Sequence, residues 1–136
     1  MRIDHISMFA TRPEEVKAFY VKYFGATPSK EFIDTESGLP SYYLTFDDGS
    51  RVEILNRPEI TRMAKNHIDL GYIRVSYMLD SREEVDKLAN RLQSDGYAII
   101  QQPKETPDGF YDCVVLDPDD NQIVIMYGDP ENKFPM

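Results

Sequence analysis

Three polar side chains with acid–base or ligand chemistry interrupt apolar stretches of the sequence. His5 lies in HISMFA, Glu53 in RVEIL and Arg74 in RVSYM. Imidazole and carboxylate carry lone pairs that accept protons or bind cations, whereas a guanidinium has only donors and stays charged. Arg74 can therefore pair with Glu53 in a structural ion pair or hold an anionic oxygen of a ligand. A metal site built on His5 and Glu53 would need a further ligand from elsewhere in the chain, and the Arg74 side chain would have to point away from the ion.

An internal repeat relates these positions. Residues 5–16 align with 74–85 at an offset of 69 residues, and residues 48–55 align with 119–126 at an offset of 71. Arg74 thereby repeats His5, and Val124 repeats Glu53. Each half is predicted to contain a strand, a helix and three further strands, and a longer second helix absorbs the change in offset.

Helix and strand signals support this division. Thr11 and Asp80 are predicted N-caps, each followed three residues later by a glutamate, and Gly25 and Gly96 are predicted C-terminal caps. The further predicted strands are Glu31–Asp34, Ser41–Phe46, Ala98–Gln101 and Asp112–Leu116. A single domain spanning 1–136 is predicted, with a first module (1–56), a connector (57–69), a second module (70–127) and a tail (128–136).

Composition excludes several classes of function. Fifteen Lys and Arg against 24 Asp and Glu give a net charge of −9, which disfavours nucleic-acid binding. No apolar run approaches the ~20 residues of a membrane span, and no secretory signal begins the chain. The lone Cys113 forms no internal disulfide and is interpreted as a small buried filler. We therefore expect a cytoplasmic protein with no nucleic-acid or membrane partner.

Four segments resemble the vicinal oxygen chelate superfamily, which groups glyoxalase I, bleomycin- and fosfomycin-resistance proteins and extradiol dioxygenases. They are Asp4–Ile6, Phe46–Ile54, Gly71–Ile73 and Asp117–Ile125. The resemblance implies an α+β fold of two βαβββ modules whose sheets curl around a cleft, often in a homodimer. We accordingly expect a homodimer with a small-molecule ligand or substrate.

In metal-dependent members, the resemblance implies four ligands to a divalent cation that provides Lewis-acid catalysis. His5 and Glu53 match two of these positions, whereas Arg74 and Val124 replace the other two. Our hypothesis is that the Arg74 cation takes the electrostatic role of the metal. No cofactor is therefore expected, with a nickel, zinc or manganese ion as the alternative.

Strand alternation predicts which residues surround this site. A four-residue turn at Asp47–Ser50 would pair Leu44 with Glu53 and place Tyr42 and Phe46 on the face of Glu53. The repeat would place Val115, Cys113 and Tyr111 beside Val124, and Tyr72 shares the face of Arg74. The predicted site has Glu53 as candidate base and a set of ligand-binding residues: His5, Tyr42, Phe46, Tyr72, Arg74 and Tyr111.

Three functions are compatible with this pattern. The first is a binding protein with a degenerate metal site that holds a small, partly apolar molecule in the cleft between the modules. The second is a metal-dependent lyase or isomerase of the glyoxalase type that uses His5 and Glu53. The third is a non-catalytic dimerisation module.

Overall fold

The computed structural model describes residues 2–33, 38–57, 74–107 and 109–128. The chain divides into two compact units, Met1–Met63 and Ala64–Met136. In the first unit the elements are β1 (Ile6–Ala10), α1 (Pro13–Phe24), β2 (Thr27–Pro28), β3 (Phe32–Ile33), β4 (Pro40–Thr45) and β5 (Arg51–Asn56). In the second they are β6 (Val75–Met78), α2 (Arg82–Ser94), β7 (Ile99–Glu105), β8 (Tyr111–Leu116) and β9 (Gln122–Tyr127).

Each unit contains one mixed sheet with the same strand order. The first sheet runs β1-β5-β4-β2, with β3 also paired to β4, and the second runs β6-β9-β8-β7. The first strand of each unit pairs in parallel with the last, and the other pairings are antiparallel. The predicted α+β fold class is thus confirmed. The predicted connector and tail lie almost entirely outside the described residues.

Strand register confirms the internal repeat. Ser7 pairs with Glu53 between β1 and β5, and Ser76 pairs with Val124 between β6 and β9. Ser76 lies 69 residues after Ser7 and Val124 lies 71 residues after Glu53, which are the two offsets of the sequence alignment. Within each module, the two backbone positions that correspond between the repeats are therefore paired with each other.

Both helices begin one residue later than predicted. Arg12 is the N-cap of α1 and makes no side-chain cap bond. Pro13 has no amide hydrogen and suits the first helical turn. Ser81 is the N-cap of α2 and accepts a hydrogen bond from the Glu84 amide, while the Glu84 carboxylate accepts one from the Asp80 amide. The predicted cap at Gly25 is confirmed, with φ at +66°.

The helices cover one face of each sheet and form the core. Helix α1 packs on β2, β4 and β5, and α2 packs on β7, β8 and β9. Alternate strand residues on the helix-facing side are buried, namely Met8, Val52, Ile54, Ile123 and Ile125. Ile6 is an exception, with 39% of its surface exposed, because it lies at the first residue of an edge strand.

The loop between β4 and β5 is one residue shorter than predicted, and this changes the register. The Phe46 amide donates to the Ser50 carbonyl at 2.9 Å, which leaves a three-residue loop with Gly49 at φ +86°. This is the usual three-residue hairpin, with a left-handed residue in its last position. Tyr43, and not Leu44, therefore pairs with Glu53. A shift of one residue moves every side chain of β4 to the other face.

Strand β7 extends through Lys104 to Glu105, beyond the predicted strand at Ala98–Gln101. Two register shifts interrupt its pairing with β8. No helix among the described residues is long and apolar enough to cross a membrane.

Candidate functional site

The first module brings His5 and Glu53 together. His5 lies one residue before β1, and the parallel pairing of Ser7 with Glu53 puts all three on one sheet face. His5 Nε2 is 3.6 Å from Glu53 Oε1. The Glu53 side chain is 15% exposed and that of His5 is 29% exposed, so both are partly desolvated yet accessible.

A hydroxyl group donates to the Glu53 carboxylate. Ser7 Oγ lies 2.8 Å from Oε1, and Tyr43 lies directly opposite Glu53 on β4. Partial burial and then the Glu53 charge raise the pKa of the Tyr43 phenol. Tyr43 therefore keeps its proton at neutral pH beside the Glu53 carboxylate.

Asp4 contacts His5 from the other side. Its Oδ2 lies 2.9 Å from His5 Nδ1 and 2.6 Å from Arg51 Nη2. The hydrogen bond from His5 and then that from Arg51 lower the pKa of Asp4, so Asp4 stays ionised and accepts both. The imidazole thus lies between two carboxylates.

Tyr43 links these groups through its ring. The His5 ring meets it edge-on, with centroids 5.2 Å apart at 88°. The Arg51 guanidinium lies over the same ring, 4.9 Å from the centroid. Asp4, His5, Tyr43 and Arg51 therefore form a closed ring of contacts beside Glu53.

A groove of about 520 Å³ opens beside this ring, at the start of β1. Its lining comes from the segment 2–6 and from the turn at Asp48–Arg51. Of the predicted site residues that the structure describes, His5 lines this groove.

The equivalent face of the second module is chemically different. Arg74 precedes β6 and is exposed, and Ser76 pairs with Val124. Val124 is only 6% exposed, and Val114 opposite it on β8 is only 4% exposed. This part of the face therefore has a charged guanidinium at its edge and hydrocarbon at its centre.

Three of the predicted ligand-binding residues do not share the face of Glu53 or Val124. Tyr42 pairs with Ile54, is 3% exposed and donates to Glu14 and Glu31. Phe46 lies in the hairpin turn and pairs with Ser50 through the backbone. Tyr111 pairs with Tyr127, and its hydroxyl donates to Asp86 on α2 at 2.5 Å. The three-residue loop between β4 and β5, and an equivalent loop between β8 and β9, each shift the register by one residue from the predicted one and explain these errors.

Two further sequence predictions concern Tyr72 and Cys113. Tyr72 lies outside the described residues. Cys113 lies on the helix-facing side of β8 and is fully buried, and burial raises the pKa of its thiol to about 11. The arrangement suits an unreactive core residue, as the sequence suggested.

Sequence reasoning did not include Asp4, Ser7, Tyr43 or Arg51 among the site residues. Tyr43 would follow from the correct hairpin register, for which the Asp-Asp-Gly-Ser sequence is the available signal, and Arg51 from strand alternation, since it lies two residues before Glu53. The contacts of Asp4 with His5 and Arg51 depend on the path of the chain before β1, which no local pattern specifies.

Among the described residues, the donors fall short of the set that holds a resident divalent ion. Two ligands about 2.1 Å from a tetrahedral ion lie roughly 3.4 Å apart, and the His5–Glu53 separation of 3.6 Å is near this value. Zinc sites typically have three or four protein ligands, and Arg74 and Val124, which repeat His5 and Glu53, have no lone pair to offer. No group of three His, Cys, Asp or Glu side chains suited to a metal occurs in the described part of the chain.

Comparison with known proteins identifies the class. A family model, Glyoxalase/Bleomycin resistance protein/Dioxygenase superfamily, matches residues 2–125. The chain belongs to this superfamily, as the sequence resemblance predicted. No curated protein matches the chain significantly.

Solved structures agree with this assignment. A possible glyoxalase from Bacillus cereus is 25% identical, with a TM-score of 0.69 over 93% of this chain and 98% of its own. A lactoylglutathione lyase from Agrobacterium tumefaciens is 19% identical, with a TM-score of 0.68 and 93% of each chain covered. A mutant of the fosfomycin resistance protein FosX from Listeria monocytogenes, complexed with Mn(II) and 1S,2S-dihydroxypropylphosphonic acid, is 16% identical. Its TM-score is 0.69 over 96% of this chain and 93% of its own. These three share the fold.

Proposed function

We propose that this protein binds a small, partly apolar molecule on the sheet face that carries His5 and Glu53, without a resident divalent ion. The observation that carries the proposal is the pairing of Ser7 with Glu53 and of Ser76 with Val124. It supports the equivalence of the two modules and hence the loss of two of four ligand positions.

The residues around Glu53 suit such a ligand. Glu53 and His5 offer polar contacts, and Phe9, on the same face by strand alternation, is 52% exposed. A few polar groups set among apolar surface are typical of small-molecule sites. Arg74, at the position of the second module that repeats His5, is an exposed positive charge of the kind that suits an anionic oxygen.

A second candidate is a metal-dependent lyase or isomerase of the glyoxalase type, with Glu53 as base. The specific observation in its favour is the His5–Glu53 distance of 3.6 Å, which suits two ligands of one ion. Against it, Ser7 already donates to Glu53 at 2.8 Å, and a substrate proton would have to compete with this donor.

A thermal-shift and NMR screen of small aryl alcohols, amines and carboxylates tests the binding proposal. We expect binders whose affinity falls at least 10-fold in Glu53→Gln and in His5→Gln, since each variant alters one polar group of the face. Asp47→Asn is the matched control, because Asp47 is an exposed carboxylate in the β4–β5 turn, and its affinities should stay within twofold of the parent.

Two outcomes would contradict the proposal. Equal binding by the parent and Glu53→Gln would place the ligand elsewhere, and a complete absence of binders would favour a non-catalytic dimerisation module. Turnover of the substrate of lactoylglutathione lyase on addition of nickel, zinc or manganese, lost in Glu53→Gln, would establish the enzyme instead.

A further inference from the structure

The two nitrogens of His5 have different surroundings. Nδ1 lies 2.9 Å from Asp4 Oδ2, whereas Nε2 lies 3.6 Å from Glu53 Oε1. Only the first distance is within hydrogen-bonding range. A neutral imidazole has one N–H group, and the hydrogen bond to the closer carboxylate favours its placement on Nδ1. Nδ1 is then the donor, and Nε2 carries a lone pair.

Asp4 is well placed to impose this choice. Arg51 Nη2 holds the same oxygen at 2.6 Å, and the Arg51 guanidinium lies over the Tyr43 ring at 4.9 Å. Tyr43 in turn meets the His5 ring edge-on. The carboxylate and the imidazole plane are therefore each fixed by a second contact, as in sites where a carboxylate orients a functional histidine.

Glu53 and Nε2 also differ in what already binds them. Glu53 accepts a hydrogen bond from Ser7. Among the residues that the structure describes, none donates a hydrogen bond to His5 Nε2. The imidazole nitrogen is therefore an acceptor of this face to which no described residue donates.

We propose that Asp4 is a positioning residue that fixes the tautomer of His5, so that Nε2 accepts a hydrogen bond from the ligand. The ligand class is a partly apolar molecule that presents an O–H or N–H group to this face. The claim about the ligand rests on the proposed binding function, whereas the claim about the tautomer does not.

Long-range 1H–15N correlation NMR on uniformly 15N-labelled protein without ligand tests the tautomer. The chain has two histidines, so His67→Gln assigns the His5 signals. In spectra of the neutral ring, recorded at mildly alkaline pH, we expect the His5 proton on Nδ1 only. A neutral ring with its proton on Nε2 would overturn the proposal.

Asp4→Asn tests whether Asp4 makes the choice, because the amide keeps the shape but can also donate to Nδ1. We expect the Nε2-protonated form to become at least equally populated, with Asp47→Asn unchanged as the matched control. An unaltered tautomer in folded Asp4→Asn would refute the role of Asp4. If Asp4→Asn does not fold, Arg51→Gln, which frees Asp4 from its second contact, should shift the same equilibrium.

The ligand class is tested with aryl alcohols from the screen and their methyl ethers. The ethers should bind at least 10-fold more weakly, and the 15N resonance of Nε2 should move with the alcohol but not with the ether. Equal binding of both would refute the ligand class, as would a screen without any alcohol or amine binder. The tautomer result, obtained without ligand, separates these failures from one another.

Discussion

The two modules have the same backbone arrangement and different chemistry on one face. Ser7 pairs with Glu53 in the first and Ser76 with Val124 in the second. Across the neighbouring strands, Tyr43 faces Glu53 in the first and Val114 faces Val124 in the second. The register thus keeps equivalent positions together, and the side chains alone decide whether those positions form a polar network or an apolar surface.

The same contrast extends to the hairpin turns before the last strand of each module. Both turns have three-residue loops, because Phe46 donates to Ser50 and Asp117 to Asn121, each at 2.9 Å. In the second turn the buried Asp117 carboxylate accepts from the Asp119 and Asn121 amides and from the Asn121 side chain, all at 2.9 Å. One module therefore stabilises its turn through a side chain that the other lacks.

The largest expected effect is on this second turn. Asp117→Ala removes three hydrogen bonds to a residue that is 2% exposed, and we expect the free energy of unfolding to fall by about 3 kcal/mol. The control is Asp48→Ala in the first turn, where an exposed carboxylate accepts from Ser50 and the loss should be below about 1 kcal/mol. Urea denaturation measures both. Equal losses would show that the turns are stabilised alike.

A second prediction concerns the rate of thiol labelling at Cys113. This residue lies on the helix-facing side of β8, at the position that repeats Tyr42. Because the thiol is buried and its pKa is raised to about 11, we expect labelling by Ellman's reagent at pH 8 to be at least 100-fold slower than in urea-unfolded protein. Rapid labelling of the folded protein would contradict the burial.

This pKa shift also predicts a direction for stability against pH. A folded pKa raised above the ordinary thiol value of ~8.5 contributes stability that is fully present below pH ~8.5 and is lost as the pH rises towards 11. Stability should therefore fall in this range more steeply in the parent than in Cys113→Ala.

The smallest expected effect concerns the left-handed residue of each turn. Gly49 has φ at +86° and Asp120 has φ at +62°, a region that a non-glycine residue adopts at a cost. Asp120→Gly should raise the free energy of unfolding by about 0.5 kcal/mol, because the entropy cost of glycine offsets part of the relief. Gly49→Asp should lower it. A loss of stability in Asp120→Gly would show that the Asp120 side chain stabilises the turn.

Sequence reasoning captured the fold because the repeat is expressed in local patterns. The apolar spacing from Val16 to Tyr23 and the left-handed Gly25 define α1 without tertiary information. The family resemblance implies that Glu53 lies near His5, and the pairing of Ser7 with Glu53 agrees with this. The residues opposite Glu53 depended on the length of one turn, and a single residue of error exchanged Tyr43 for Leu44 and moved Tyr42 into the core.

The central claim is that only the first module retains metal-ligand chemistry, and titration calorimetry of chelator-treated protein with zinc, nickel and manganese tests it most directly. We predict no stoichiometric binding by the parent tighter than about 10 µM, and at least 100-fold tighter binding by the double variant Arg74→His/Val124→Glu, which completes the family's four donors. Stoichiometric binding below about 1 µM by the parent, or no gain in the folded double variant, would contradict the claim.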